Sequence, residues 1–355
     1  MSGLPRARGL LAGGVLGAAA AGLTAGLAVE RLAIGRTRLR PDPEAREPFG
    51  QLPGEPTTVT TEDGIRLHAE QVGGGAVTVV FVHGYTLSMH CWHYQRRDLA
   101  DVGRLVFYDQ RSHGQSDRSS NDNMTVDQLG RDLAAVIDQL VLSGPIVLVG
   151  HSMGGMTIMS LAHQRPGLFA SRVVGVALVS TSAGRIAEVG FRLPVRVAGL
   201  LTGGLVPRAS QLVGRGAPLL ERGRRVGSDL AFVMSRHYGF GDDPSPAQVE
   251  FVERMIAATP VEVIAGFARS ILEHDKYEAL EVLSRVPTLV IVGDEDRVTP
   301  PKLTDEIVSR ISGIDLVKLA GAGHMVMMER APLVNLHLRA FTRRVTRGAR
   351  GRRGA

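Results

Sequence analysis

Short apolar runs recur along this chain, and most of them do not alternate with polar residues. Five strong runs are VTVVFVHG (77–84), RLVFYD (104–109), PIVLVG (145–150), VVGVALVS (173–180) and PTLVIVG (287–293). A weaker sixth run, DLVKL, covers residues 315–319. Strands that are buried on both faces of a parallel sheet show this continuous apolar pattern. The runs therefore predict a mostly parallel sheet inside the protein.

Helical periodicity lies between several of these runs. The stretch TVDQLGRDLAAVIDQLV (125–141) has apolar residues at helical spacing, and Thr125 is a residue type that caps helix N-termini. Strands that alternate with helices are typical of a doubly wound α/β fold. The stretch TTVTTEDGIRLHAEQVG (57–73) alternates instead around Asp63-Gly64, which predicts a β-hairpin near the start of the folded domain.

One long stretch interrupts this alternation. Residues 183–284 have helical periodicity without a strand run of comparable strength. We interpret them as a helical lid inserted into the sheet domain, whose core then comprises residues 57–182 and 285–342. Inside the lid, residues 191–225 are apolar with interspersed arginines, which predicts either a pocket cover that also touches lipid or an amphipathic lid packed on the core.

Composition and charge narrow the class of protein. The 355 residues are 44% hydrophobic and 21% charged, as in ordinary globular chains, and the single cysteine, Cys91, cannot form an internal disulfide. The net charge is +6, but residues 1–40 contribute +5 and residues 339–355 contribute +7, which leaves about −6 for the body. Nucleic acid is therefore not an expected partner. The basic tail, 343–355, is either a solvated terminus or a contact for anionic lipid.

The N-terminus carries a candidate membrane segment. Residues 9–29 contain no charged residue, and arginines flank them on both sides. That length just suffices for a helix to span a bilayer, so residues 1–35 predict an anchor and membrane association. A cleaved signal peptide with a small-residue site at 26–28, and hence secretion, is one alternative, and a peripheral helix is another. Residues 36–56 contain five prolines and are predicted to be a linker, while the side of the membrane stays open.

One serine stands between a predicted buried strand and a predicted helix, where residues 150–154 read GHSMG. In this context the G-x-S-x-G pattern is typical of a nucleophilic serine on a sharp turn. The hydroxyl of such a serine needs a base, and the base needs an orienting acid. His324 follows the last strand run and Asp296 follows the preceding one, so Ser152, Asp296 and His324 occur in the chain order that is common in this context.

Together these motifs resemble the α/β-hydrolase superfamily, in particular its lid-bearing group of serine esterases, lipases, haloperoxidase-like enzymes and C–C hydrolases. The resemblance covers residues 57–342 and implies an α/β-hydrolase fold, a doubly wound and mostly parallel sheet with an inserted helical lid. Five motifs carry it in chain order: His83-Gly84 after a strand, DQRSHGQS at 109–116, GHSMGG at 150–155, G-x-x-D-x-x-x-P at 293–300 and G-x-G-His at 321–324.

The resemblance also implies roles for individual residues. Ser152 is the expected nucleophile, His324 the base and Asp296 the acid. The backbone N–H groups of Tyr85 and Met153 are expected to form the oxyanion hole. Epoxide hydrolases and haloalkane dehalogenases of this superfamily use aspartate at the position of Ser152. The serine therefore argues against membership of those two classes.

The expected reaction is hydrolysis of a small-molecule carboxylic ester, such as a lipid or acyl ester, through an acyl-enzyme. The same triad leaves open C–C hydrolysis, perhydrolysis and acyl transfer, and a different class is a ligand-sensing protein with slow turnover. No metal, organic cofactor or obligate protein partner is implied. The motif at 109–116 is interpreted as ordering its own loop rather than as part of the chemistry.

Overall fold

The computed structural model describes residues 41–189 and 235–353, with side chains as far as residue 348. Its strands are β1 (Glu55–Thr60), β2 (Arg66–Val72), β3 (Thr78–Val82), β4 (Arg104–Tyr108), β5 (Ile146–His151), β6 (Val173–Val179), β7 (Thr288–Gly293) and β8 (Asp315–Leu319). Within the described residues, these strands form one eight-stranded sheet in the order β1-β2-β4-β3-β5-β6-β7-β8.

Helices connect most of the strands and cover both faces of the sheet. They are α1 (His93–Asp98), α2 (Val126–Leu140), α3 (Met153–Gln164), α4 (Pro166–Ser171), α5 (Ile186–Val189), α6 (Pro246–Ala258), α7 (Val261–Leu272), α8 (Ala279–Leu283), α9 (Pro301–Val308), α10 (Val326–Glu329) and α11 (Ala331–Arg353). Two short 3-10 turns lie at Met89–Trp92 and Asn121–Asn123, and a π-helical turn lies at Ser235–Gly239.

The sheet is parallel except at one end. The pairs β1/β2 and β2/β4 are antiparallel, and every other neighbouring pair is parallel. Every residue of β3, β5 and β7 is buried, because helices pack on both faces there. The weakest run forms β8 at the edge of the sheet, where alternate side chains are exposed. The predicted doubly wound α/β-hydrolase fold is therefore confirmed.

Two local predictions are also confirmed. Strands β1 and β2 form the hairpin around Asp63-Gly64, where the Gly64 N–H donates to the carbonyl of Thr61 at 2.9 Å and Gly64 has φ of +81°. Glycine suits this turn because its missing Cβ permits the left-handed conformation. Helix α2 begins after Thr125, whose hydroxyl oxygen accepts the N–H of Gln128 at 3.1 Å.

The predicted lid is helical where the structure describes it. Helices α6 and α7 meet at a bend of 95° around Thr259-Pro260, and α5 and α8 lie at the two ends of the insertion. The arginine-punctuated stretch 191–225 lies outside the described residues, as do residues 190 and 226–234. The domain boundaries themselves stay predictions.

The described part of the predicted linker lies against the body. The ring of Phe49 is stacked on that of Phe251 with 4.9 Å between centroids, and the residue is only 8% exposed. The carboxylate of Glu47 is 2.8 Å from Nε2 of His93. These contacts hold residues near 47–49 against α1 and α6.

Of the two ends of the chain, the structure describes most of the C-terminal one. The candidate membrane segment at 9–29 lies outside the described residues. Helix α11 continues through the basic tail to Arg353, and Arg343 pairs with Asp101 at 2.9 Å. Within residues 41–189 and 235–353, no single helix is both long enough and apolar enough to cross a membrane. Helices α6 and α7 meet these requirements only as a bent pair taken together.

Candidate active site

Ser152 occupies the sharp turn between β5 and α3. Its φ of +52° and ψ of −119° lie outside the regions that serine normally adopts, so the surrounding contacts must impose this conformation. The Ser152 N–H donates to the carbonyl of Val179 at 3.0 Å, and the Thr181 hydroxyl donates to the carbonyl of Ser152 at 2.7 Å. A Cβ on Gly150 would lie 2.6 Å from the carbonyl carbon of Gly154, so the turn requires glycine there.

Asp296 and His324 lie on the loops that follow β7 and β8. Nδ1 of His324 is 2.9 Å from Oδ2 of Asp296, and both residues are buried. Asp296 also accepts the backbone N–H of Val298 at 2.9 Å, and the N–H and hydroxyl of Thr299, each at 2.8 Å. The carboxylate therefore holds one edge of the imidazole while its own lone pairs are satisfied.

The electrostatics favour an ionised Asp296. Burial by itself raises the pKa of this carboxyl, but the neighbouring His324 and the donors of Thr299 outweigh burial and lower the pKa below its usual value. An ionised carboxylate at this place stabilises a positive charge on the imidazole. The ionised carboxylate thus faces the Nδ1 edge of the His324 ring.

His151 connects the serine turn to the loop of His324. Nε2 of His151 lies 3.0 Å from the carbonyl oxygen of His324, and the two rings are 4.7 Å apart between centroids. Burial, helped by the nearby His324, lowers the pKa of His151 to about 3, so its ring is neutral and Nε2 carries the donated proton. Across the described residues no hydrogen bond joins the Ser152 hydroxyl to His324; such contacts are often long until substrate is bound.

The two expected oxyanion donors border the same turn. Met153 is the first residue of α3, where backbone N–H groups lack helical partners and point toward the helix N-terminus. Tyr85 follows β3 and the pair His83-Gly84, and a Cβ on Gly84 would lie only 3.2 Å from Cβ of Ser152. The Tyr85 phenol donates to the carbonyl of Ile264 in α7.

Two buried neutral histidines support the loop of Tyr85. Nε2 of His83 accepts the Gln110 N–H at 2.9 Å, and Nε2 of His113 accepts the Thr86 N–H at 3.2 Å. In each ring Nδ1 faces a carbonyl oxygen, at 2.7 Å for His83 and 3.0 Å for His113. Burial lowers the pKa of His113 to about 4 and that of His83 well below its ordinary value. Both rings therefore stay neutral and each acts as donor and acceptor.

The motif at 109–116 has the contacts of a loop-ordering element. Asp109 accepts the N–H groups of Met89 and Gln115, each at 2.8 Å. Arg111, with no exposed side-chain surface, pairs with Asp132 at 2.5 Å and with Asp63 at 2.9 Å. None of these side chains contacts His324 or Asp296 in the described hydrogen-bond network, which agrees with the interpretation from the sequence.

The residues predicted from the sequence come together at one edge of the sheet, where β3, β5, β7 and β8 end. Carboxyl ends of parallel strands are the usual place for ligands in open α/β sheets. The neighbouring carboxylates take no part in the pair with His324: Asp294 accepts the Gly321 N–H at 2.8 Å, and Glu295 is 3.6 Å from Arg297. Among residues 41–189 and 235–353, no group of three or more His, Cys, Asp and Glu side chains is placed to hold a metal ion.

Three residues that support the site were not predicted. Thr299 donates to Asp296, and its position three residues after an aspartate is a signal for this local contact. Gln110 links the His83 carbonyl to Thr157, at 2.7 Å and 2.9 Å. Glu329 accepts the N–H of Gly323, which is near in the chain, and that of Gly241, which is distant. For Gln110, and for the contact of Glu329 with Gly241, the partners lie far away in the chain, and no local pattern indicates the contact.

Comparison with known proteins agrees with this architecture. A model of the alpha/beta hydrolase family matches residues 79–335. The chain is 26% identical over 272 residues to the dihydrolipoyllysine-residue acetyltransferase component of an acetoin cleaving system from Pseudomonas putida; this covers 77% of the chain but only 65% of that relative's length. It is 24% identical over 298 residues to Epoxide hydrolase 1 of Caenorhabditis elegans, which covers 78% of the chain and 68% of that protein.

A solved structure shows the same fold. An esterase from Thermogutta terrifontis superimposes with a TM-score of 0.62 and 26% sequence identity, covering 82% of this chain and 99% of the esterase. The family model spans well over half of the chain. The chain therefore belongs to the alpha/beta hydrolase family of enzymes.

Proposed function

We propose that this protein is a serine hydrolase that cleaves carboxylic esters through an acyl-enzyme intermediate. The observation that carries the proposal is the buried Asp296–His324 pair at 2.9 Å, whose His324 carbonyl accepts a hydrogen bond from His151, the residue next to Ser152. This arrangement supplies a nucleophile, a base and an orienting acid at one edge of the sheet.

The reaction has two halves. In the first, Oγ of Ser152 attacks the ester carbonyl carbon while Nε2 of His324 takes the hydroxyl proton, and Asp296 stabilises the resulting imidazolium. The tetrahedral oxyanion accepts hydrogen bonds from the N–H groups of Tyr85 and Met153. Collapse breaks the bond to the alcohol, which leaves with the proton from His324.

The second half releases the acid. Water attacks the acyl-enzyme carbonyl as His324 takes a proton from it, and the bond to Oγ of Ser152 breaks as His324 returns that proton to the serine. The products are one carboxylic acid and one alcohol, and the enzyme regains its starting protonation.

Similarity to an esterase supports ester hydrolysis. The chain is also similar to an epoxide hydrolase, but Ser152 at the turn between β5 and α3 argues against epoxide hydrolysis. By the family resemblance, epoxide hydrolases use an aspartate at the position of Ser152. A serine there attacks an acyl carbon and forms an ester that water hydrolyses, which matches carboxylic esters as substrates.

The test is covalent labelling of the full chain with a fluorophosphonate probe, followed by turnover of p-nitrophenyl esters of increasing acyl length. We expect the wild type to label and turn over, and Ser152→Ala to do neither. Ser171→Ala is the matched control, because the Ser171 hydroxyl returns to its own helix at the carbonyl of Gly167. Labelling of Ser152→Ala at the wild-type rate, or an unreactive wild type, would reject the mechanism.

A further inference from the structure

Glu329 joins two segments that are distant in the chain. It is the last residue of α10, and its half-buried side chain turns back toward the loop that carries His324. One carboxylate oxygen accepts the Gly323 N–H at 2.8 Å, and the other accepts the Gly241 N–H at 2.7 Å. Gly323 immediately precedes His324, and Gly241 belongs to the chain as it returns from the insertion between β6 and β7.

We call residues 235–242 the return segment. It contacts the His324 loop through the backbone as well: the Met325 N–H donates to the carbonyl of Gly239 at 2.7 Å, and the Asp242 N–H donates to that of Gly321 at 3.2 Å. A Cβ on Gly323 would lie 2.5 Å from the backbone nitrogen of Gly241. The two segments therefore pack backbone against backbone, with Glu329 bridging them.

The return segment also reaches the loop of Asp296. A guanidinium nitrogen of Arg297, the next residue, donates to the carbonyl of His237 at 2.8 Å. Both triad loops thus contact one short stretch of the insertion. His324 itself is fixed on three sides: Asp296 at Nδ1, His151 at its carbonyl, and Glu329 through the preceding amide.

The bridge suits an ionised carboxylate. Each oxygen accepts an N–H group, and protonation would turn one oxygen into a hydroxyl, which is a much weaker acceptor than a carboxylate oxygen. Burial opposes ionisation and raises the pKa of Glu329 to about 7, although the two backbone donors and the nearby Arg330 and Arg236 act in the opposite direction. Weakening of one acceptor would loosen either the amide beside His324 or the return segment.

We propose that Glu329 is a positioning residue for His324. Glu329 orients the proposed base through Gly323 and links the position of His324 to the return segment of the lid. The inference rests on the proposed function for its effect on turnover, but the bridge itself is independent of the reaction. Its expected signature is loss of kcat with little change in KM, because a displaced base impairs proton transfer more than substrate binding.

The experiment compares the full-length wild type with Glu329→Gln, which keeps the size of the side chain but offers one oxygen acceptor instead of two. We expect kcat for p-nitrophenyl acetate to fall between about tenfold and a hundredfold, with KM within about twofold. Amide hydrogen exchange is measured by mass spectrometry on peptides containing Gly241 and Gly323, and we expect it to accelerate in the variant.

Glu306→Gln is the matched control, because Glu306 is another partly buried carboxylate, on α9, that accepts from Arg185 and Tyr277. It should leave kcat and both peptides as in the wild type. If Glu329→Gln matches this control in kcat, or if exchange at both peptides is unchanged, the proposal is wrong.

Two further outcomes are separable. If the wild type hydrolyses no ester, the proposed function fails, and the exchange comparison alone decides whether Glu329 bridges the two segments. If Glu329→Gln does not fold, Glu329→Asp serves instead, because a side chain one methylene shorter cannot reach both amides. Wild-type kcat and exchange in that variant would equally overturn the role of Glu329.

Discussion

Asp296 accepts hydrogen bonds from backbone, hydroxyl and imidazole donors at once. The N–H groups of Val298 and Thr299, the Thr299 hydroxyl and Nδ1 of His324 all lie within 3.1 Å of its oxygens. Such a set fixes the direction of the carboxylate as well as its charge. These contacts fit the specialisation for orienting one ring that we propose for this residue.

Asp296→Asn tests this specialisation. An amide has one acceptor oxygen and one donor group, so it opposes the Nδ1–H tautomer of His324, and we expect kcat to fall by about 10³–10⁴. Steady-state ester hydrolysis measures the loss, and thermal melting checks the fold.

Asp294→Asn is the comparison two residues earlier. Asp294 accepts the Gly321 N–H and does not contact His324, so its loss in kcat should be far smaller. Equal losses in the two variants would mean that the acid has been misassigned.

Strands, helices and turns can be predicted from the sequence where their cause is local. The strand runs are apolar because both faces of β3, β5 and β7 are covered, and Thr125 caps α2 through a residue three positions away. The Ser152 turn is likewise visible, because its glycines are adjacent in the chain. The bridge from Glu329 to Gly241 is not visible, because the fold alone brings residues separated by 88 positions together.

Thr125→Ala tests the cap of α2. Removing the hydroxyl leaves the Gln128 N–H without its acceptor, and we expect the free energy of unfolding to fall by about 1 kcal/mol. Urea denaturation measures the change. Thr346→Val, whose hydroxyl donates within α11, provides the comparison, and an equal loss there would argue against a specific cap.

Tyr85→Phe separates the phenol from the backbone N–H of the same residue. The variant keeps the expected oxyanion donor but loses the hydrogen bond to the Ile264 carbonyl in α7. We expect KM to rise severalfold, on the order of 1 kcal/mol, with kcat changed much less, because the lid helix loses an anchor. Kinetics with a series of p-nitrophenyl esters checks this, and a fall in kcat at constant KM would contradict it.

Several histidines across the protein are buried as neutral rings. His83, His113 and His151 each have a pKa below the ordinary value because burial disfavours the charged form. The unfolded chain binds their protons near pH 6.5, whereas the folded chain does not until the pH is far lower. The folded state is therefore less stable relative to the unfolded state in acid than at neutral pH.

Acid destabilises the folded state through these histidines. As pH falls through about 6.5 the unfolded state takes up protons that the folded state refuses, so the free energy of unfolding decreases, and for His113 the decrease ends near its folded pKa of about 4. His113→Gln should reduce the slope of stability against pH in this range by up to about 1.4 kcal/mol per pH unit. Urea titrations at several pH values measure the slope, and His163→Gln, at an exposed position, is the control.

Cell fractionation tests the expected N-terminal anchor. Because the uncharged segment 9–29 has the length to span a bilayer, we expect the full chain in the membrane fraction and a chain without residues 1–35 in the soluble fraction. The same distribution for both chains would remove the anchor from consideration.

The proposed base follows one of the two edge strands of the sheet. His324 follows β8, which pairs only with β7 and has alternate side chains exposed. Edge elements with few buried contacts open at lower free energy than the centre of a sheet. Mild denaturant should therefore abolish activity while the circular dichroism signal is still intact. Inactivation would then report local opening at β8 rather than global unfolding.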